Sequence, residues 1–459
     1  MEAGHVVSSR GGSIALRGHA VTFTGDPFYA PSNEVFLDIP DALVLIEDGI
    51  ITRFGPWNEL HHLVPDHVDV EHYPGHVLSA GFVDTHVHYV QTGIIAAFGS
   101  QLIDWLNDYT FVEEQRFNDA AYSAEMARLF FDELLRNGTT TALSFCAVYP
   151  ESVDAFFDES MRRNTRMIAG KVLMDRNAPE ALLDTVQIGY DQSLELLERW
   201  HGTGRNHYAI TPRFAPTSTP GQLEAAGALW KLHPDAWVHT HVSESLAELA
   251  WVKSLFPERS SYLDVYDHYG LLGRRAVLAH GVHLSGPERH ICHQRECSIA
   301  HCPSSNNFLG SGLFHVQQAK DPSEPIHVGL GTDIGAGTSF SMLTTMGEAY
   351  KVAALNSSPM NSIKSLFLAT LGGARALDLD DRIGSIAVGK EADIVVLDPN
   401  ATPLLRHRSA RCVSIEEQLF VLSVMGDDRV VRATYVAGER AYDRTLGMGS
   451  REVRPTGAL

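Results

Sequence analysis

Residues 82–88 read Phe-Val-Asp-Thr-His-Val-His, and this stretch decides how the rest of the chain is read. Side chains alternate between the two faces of a strand, so His86 and His88 fall on one face and both imidazoles can turn toward one ion. The pattern recurs downstream. A strand-like segment at 236–242 ends in His239-Thr-His241-Val-Ser-Glu244, one at 276–282 carries Leu278-Ala-His280 with His283 three residues on, and one at 326–331 runs into Gly331-Thr-Asp333. Further strand-like segments lie at 139–145, 166–174, 208–214 and 297–301. Amphipathic helical stretches separate most of them: Ala120 to Arg136, 182–200, 220–233 and 339–357. Eight β units alternating with helices predict a parallel sheet, and eight is the number that closes a (β/α)8 barrel. Such barrels keep their chemistry at the C-terminal ends of the strands, where these histidines and Asp333 fall.

The flanks differ. Ala42-Leu-Val-Leu-Ile-Glu-Asp-Gly49 followed by Ile50-Ile-Thr-Arg-Phe54 reads as a hairpin turning at Asp48-Gly49. Ala392–Leu397 and Val430–Val436 are strand-like near the other end, with Gly438 placed for a turn. Two β-rich ends around a different middle predict one small β-sandwich domain built from both: 1–75 and 386–459, flanking a catalytic barrel over 76–385.

Composition narrows the function. The chain has 459 residues, long enough to bury a core without disulfides. Five cysteines, an odd number with no CxxC pair, argue against a secreted disulfide framework. Acidic residues outnumber basic ones by 20, which disfavours nucleic acid and anionic membrane as partners. No apolar run approaches the ~18 residues of a membrane span. Neither the MEAGHVVSSRGGS start nor the RPTGAL end matches a signal or anchor, so a cytoplasmic protein is expected. The unusual count is 23 histidines. Imidazoles with one carboxylate and no thiolate at the strand tips suit catalytic zinc or iron rather than structural zinc. His61, His62 and His67 read as solvated loop residues. His239, two residues deeper than His241, reads as packed or supporting rather than ligating, and His301 beside Cys302 as either pocket-lining or packed.

These motifs resemble the amidohydrolase superfamily: the HxH strand, His241 to Glu244, the His280 strand and Gly331-Thr-Asp333. Within it, the sequence is similar to the guanine deaminase family, through Gly99-Ser-Gln-Leu-Ile-Asp-Trp-Leu-Asn-Asp-Tyr-Thr-Phe111, Tyr208-Ala-Ile-Thr-Pro-Arg-Phe214, Ile299-Ala-His-Cys-Pro303 and Leu330-Gly-Thr-Asp-Ile-Gly-Ala-Gly337. The likeness runs from about Gly81 to Asp428. Ala80 and Val112 depart from it, each standing where the family commonly has proline, which should affect loop rigidity rather than chemistry.

The resemblance implies hydrolytic deamination of guanine to xanthine and ammonia by one zinc ion per subunit, with iron(II) as the other candidate, in a homodimer. It implies His86, His88, His241 and Asp333 as metal ligands, and Glu244, Asp333 and His280 as catalytic groups. Gln91, Arg213 and Phe214 would read the purine, with His88, His241, Glu244 and Asp333 also facing it. Lys171, which invites comparison with the carboxylated lysine of two-metal relatives, is expected to be structural. Leu102, Trp105, Leu106 and Tyr109 form a helical stripe, of which Leu102 and Leu106 face the core and Trp105 either covers the pocket or joins a subunit contact. Two alternatives keep or discard the site: an amidohydrolase acting on another aminopurine or a chlorotriazine, and a catalytically inactive scaffold barrel.

Overall fold

The computed structural model describes residues 12–98 and 102–449, with only the backbone of Leu102 and Ile103. Residues 1–11 of the N-terminal stretch discussed above, the C-terminal RPTGAL, Gly99–Gln101 of the 99–111 motif, and the Leu102 side chain lie outside the described residues. Eight parallel strands follow one another around a barrel: Phe82–His88, Thr139–Phe145, Arg166–Gly170, His207–Pro212, Trp237–Val242, Ala276–His280, Ser298–His301 and His327–Leu330. A two-residue strand, Val172–Leu173, adds to the fourth. The first strand is buried throughout, as expected where helices cover a parallel sheet. Ala120–Arg136, for instance, starts on Asp119, whose carboxylate accepts from Ala121 N at 2.8 Å, a cap worth ~1 kcal/mol.

Side chains and single backbone bonds carry the closure between the first and eighth strands. Asp333 N donates to His86 O at 2.9 Å and Thr85 Oγ1 to Leu330 O at 3.0 Å. Buried Asp84 accepts from Thr332 N at 3.1 Å and also from its hydroxyl. Gly331 makes this approach possible, because a Cβ there would meet His86 Cβ and Cys302 Sγ at 2.9 Å.

The second sheet joins both ends of the chain. Its eight strands run in the order Gly447–Met448, Glu439–Asp443, Val431–Val436, Ile394–Leu397, Val70–Ala80, Ser13–Phe23, Phe36–Glu47 and Ile50–Pro56. Val70–Ala80 is the seam, parallel to Ser13–Phe23 and antiparallel to Ile394–Leu397. The Asp48-Gly49 turn forms as read, with φ of 53° and 80° at its two residues, the geometry of a type I′ hairpin. Leu16, Val44, Ile46 and Tyr435 pack on one face of this sheet, and Ala15, Leu43 and Leu45 on the other. The C-terminal stretch also supplies the helices Pro403–Ser409 and Ile415–Met425. Ala80 pairs with Ile394 and Val112 sits exposed in the helix Phe111–Glu114, so neither is a loop residue. None of the five cysteines is in a disulfide, and among the described residues no helix is long and apolar enough to cross a membrane.

A largely buried ion-pair network ties the barrel to the second sheet, with Arg166 and Asp393 buried and Glu391 and Arg205 partly so. Glu391 Oε2 accepts from Arg166 Nε at 2.8 Å and Arg205 Nε at 3.0 Å, and Arg205 Nη2 reaches Asp393 Oδ2 at 2.6 Å. Burial opposes ionisation of Glu391, but Arg205 and Arg166 outweigh it and hold the carboxyl at about 2, below its ordinary 4.5. Glu391→Gln leaves two guanidinium groups under-compensated and should cost about 3–5 kcal/mol. Because the folded-state pKa is depressed, this contribution is complete above pH 4.5 and fades as pH falls toward 2. Urea titrations of parent and variant should therefore differ widely at neutral pH and converge in acid; a pH-independent gap would contradict the assignment.

Candidate active site

Three of the strand ends that carry candidate groups leave the sheet through a left-handed residue: Ser243 at φ 50°, His280 at 70° and Asp333 at 51°. Non-glycine residues seldom adopt this conformation, and such strain collects at functional sites. The kinks turn the side chains into one mouth. His86 Nε2 lies 3.2 Å and His88 Nε2 3.4 Å from Asp333 Oδ1, and His88 Nε2 lies 3.2 Å from His241 Nε2. All four residues are nearly or fully buried apart from a partly exposed His241.

The hydrogen bonds behind these rings set which ring atoms face one another. His241 Nδ1 is 2.6 Å from Arg213 O, which can only accept, so the proton sits on Nδ1 and Nε2 presents a lone pair. His86 Nδ1 is 2.7 Å from His239 Nε2, while His86 Nε2 has no hydrogen-bond partner although fully buried. With the His86 proton on Nδ1, its lone pair faces the Asp333 carboxylate. Burial holds His86, His88 and His241 below the ordinary imidazole range, and His88 and His241 well below it. Neutral nitrogens and a carboxylate aimed at one another repel unless a cation lies between them, so the donor set fits a bound metal ion. His239 supports His86 from behind, as its deeper position suggested.

Around this cluster stand the candidate acid–base groups. Glu244 Oε2 is 3.5 Å from His280 Nε2, and Ser311 Oγ donates to Glu244 Oε1 at 3.0 Å. His280 Nδ1 is held by Asn306 Oδ1 at 2.9 Å, and its Nε2 is 3.8 Å from Asp333 Oδ2. Burial raises the Glu244 carboxyl above its ordinary range even though His280 opposes it. Burial alone would lower His280, but Glu244 and Asp333 outweigh it and raise the imidazole. Both shifts favour the protonated form, which suits a carboxyl and an imidazole for proton donation and hydrogen bonding in the site.

The cavity above is lined by His88, Gln91, Trp105, Leu106, Arg213, Phe214, His241, Glu244, His280, Ser305, Leu309, Asp333 and Ala336. It thus gathers every residue assigned to substrate, and Trp105 is part of its wall. Its indole donates to Ala97 O at 3.2 Å. The stripe breaks after Leu106, because Leu106–Thr110 is a π-turn. The extra residue buries Thr110, Phe111 and Glu114 and leaves Tyr109 only half-buried. His301 is fully buried against Phe314 and does not line the cavity. Lys171 is buried in an ion pair with Asp184. His61, His62 and His67 are exposed. Sequence reasoning missed Asn306, Ser311, Asp84 and Glu114. Of these only Asp84, inside the opening motif, stood where a signal could have found it.

A parallel barrel whose strand tips converge imidazoles and a carboxylate beneath an apolar-walled cavity is the framework of a metal-dependent hydrolase. The chain belongs to the amidohydrolase family, which matches residues 77–441 and whose members are typically metal-dependent. It is 52% identical over 406 residues to guanine deaminase of Escherichia coli (strain K12), covering 88% of this chain and 92% of that one. It is 38% identical to the probable guanine deaminase of Deinococcus radiodurans, over 88% and 95% of the two chains. The solved E. coli guanine deaminase superposes with a TM-score of 0.92 at 49% identity, over 94% of this chain and all of that one. A guanine deaminase from C. acetobutylicum with bound guanine gives 0.83 at 26% identity, with 94% and 100% covered. Within the amidohydrolases the chain groups with the guanine deaminases.

Proposed function

We propose that this protein hydrolyses guanine to xanthine and ammonia, using one zinc ion held by His86, His88, His241 and Asp333. The observation that carries this reading is one cavity whose lining brings together His88, His241 and Asp333 of that donor set, Glu244 and His280, and Gln91, Arg213 and Phe214. A bound zinc ion lowers the pKa of water from 15.7 to about 7, supplying a nucleophile at neutral pH, and iron(II) is the other ion the donors suit.

Asp333 accepts the proton of the attacking water. Glu244 protonates a ring nitrogen as the carbon–oxygen bond forms at the amine-bearing carbon. Glu244, now a carboxylate, takes the hydroxyl proton of the adduct and passes it to the departing nitrogen, which leaves as ammonia when the carbon–nitrogen bond breaks and the carbonyl forms; the proton held by Asp333 then restores Glu244. Such positioned transfers contribute typically ~10²–10⁴-fold. His280 hydrogen-bonds the attacking oxygen and steadies the tetrahedral adduct. The Arg213 guanidinium donates to the carbonyl that guanine has and adenine lacks. Phe214 gives a flat base an apolar wall, and the edges of His88 and His241 complete the floor. The resemblance also supports a cytoplasmic homodimer acting on a small purine.

The test is ultraviolet turnover of guanine by metal-quantified protein, beside a panel of aminopurines, pterins and triazines. Guanine turnover with about one zinc per chain is expected; a metal-loaded protein that spares guanine and converts another panel member would overturn the reading. Arg213→Lys should raise KM for guanine roughly tenfold with a smaller change in kcat, since lysine lacks the planar fork. An unchanged KM would remove Arg213 from recognition.

A further inference from the structure

Gln91 and Arg213, the two polar side chains assigned to reading the base, are joined by another that does not line the cavity. Glu114 is fully buried, with Oε1 accepting from Gln91 Nε2 at 3.1 Å and Oε2 from Arg213 Nη1 at 2.7 Å. Gln91 and Arg213 are themselves 2% and 3% exposed, so solvent does not screen this bridge. Glu114 ends the short helix Phe111–Glu114 that directly follows the π-turn at Leu106–Thr110. The same turn seats Phe111 with its ring centroid 5.4 Å from the Arg213 guanidinium carbon.

Two chemical consequences follow from this geometry. First, a carboxylate can only accept, so it fixes the Gln91 amide with its NH2 toward Glu114 and leaves Oε1 as the group offered elsewhere. Oε1 stands where a Cβ on Gly335 would be, 2.1 Å from it, in space that glycine at φ 120° keeps clear. Second, Glu114 balances the charge of Arg213. A lone buried guanidinium would favour anions; a paired one still offers N–H donors but no net charge. Together they present one acceptor and a neutralised donor fork, which suits an uncharged heterocycle with a ring N–H and a carbonyl.

We propose that Glu114 is the specificity-determining residue that makes this site select uncharged oxopurines over their anions, by clamping Gln91 and neutralising Arg213. The inference rests on the proposed purine-binding reading of the cavity and adds a positioning residue to it. Glu114 is not itself in contact with the base.

The probes are hypoxanthine, neutral at pH 7, and urate, an anion at that pH. Both carry the carbonyl and lack the amine that would be lost, so each is measured as an inhibitor and as a calorimetric ligand. In Glu114→Gln the preference should move toward urate by roughly ten- to hundredfold relative to the parent. KM for guanine should rise about tenfold with kcat changing less. Removing both charges, in Glu114→Gln with Arg213→Gln, should return the preference toward the parent's although both ligands bind more weakly. If Glu114→Gln does not fold, Arg213→Gln alone answers the question, because leaving Glu114 unbalanced should push the preference away from urate. A ratio unchanged by either single variant, or a shift that the double variant does not reverse, overturns the proposal. Failure of the proposed activity looks different: the parent would spare guanine while the urate-to-hypoxanthine ratio still moved with Glu114.

Discussion

Glu244→Gln is expected to abolish guanine turnover, by roughly 10²–10⁴-fold or more, while the protein keeps its metal. The substitution keeps size and shape, and the local frame does not depend on the carboxyl proton. Glu244 N donates to Glu248 Oε2 at 2.8 Å, and the Ser311 hydroxyl can still donate to a side-chain amide oxygen. What the amide cannot do is carry a proton between water, ring and leaving nitrogen. Steady-state kinetics with metal analysis by atomic emission checks both halves. Loss of metal would make Glu244 a ligand, and retained turnover would pass the proton relay to another group.

Stripping the metal with a chelator should remove activity to the detection limit and lower the melting temperature, and zinc should restore both. Without a cation, the nitrogens of His86, His88 and His241 and the Asp333 carboxylate face one another inside the protein. Binding to the folded state alone stabilises it by RT ln(1 + [L]/Kd), about 4 kcal/mol at a thousandfold excess over Kd. The sign of the pH dependence follows from the imidazoles. Their pKa values are lowered by burial, so the ligand atoms stay unprotonated at neutral pH, and metal should be retained until pH falls below the ordinary imidazole range. Full activity in protein shown to be metal-free would sink the assignment of the cluster.

How much of this was legible in the sequence depends on the range of the interaction concerned. The barrel was readable because its signal is local and repeated: each strand is a short apolar run with chemistry at the same end. The ligand candidates were readable for a related reason, since period-two alternation ties His86 to His88 and His241 to His239 within single strands. There too the depth along the strand separates the two: His241 Nε2 lies by His88 and His239 Nε2 by His86 Nδ1. The residues that orient the site were not readable. Asn306 against His280, Ser311 against Glu244 and Glu114 against Arg213 are pairings between distant elements, set by helix and loop placement. The regular helical spacing through Tyr109 is interrupted for a local reason, although Trp105, Leu106 and Tyr109 still pack in one cluster. A regular 3.6-residue period cannot anticipate one inserted residue, and the π-turn moved burial onto Thr110 and Phe111.

The seam strand Val70–Ala80 has a bearing on how the polypeptide is made. One of its edges is satisfied early, by Ser13–Phe23, but the other accepts Ile394–Leu397, a segment synthesised after the whole barrel. On the ribosome, a strand with its hydrogen-bonding groups bare therefore travels beside a barrel that is already assembling. An exposed edge of this kind is a template for unwanted pairing. A segment made after the barrel acts as the clasp: a message cut short between the two leaves a product that carries the candidate site residues but has its seam open.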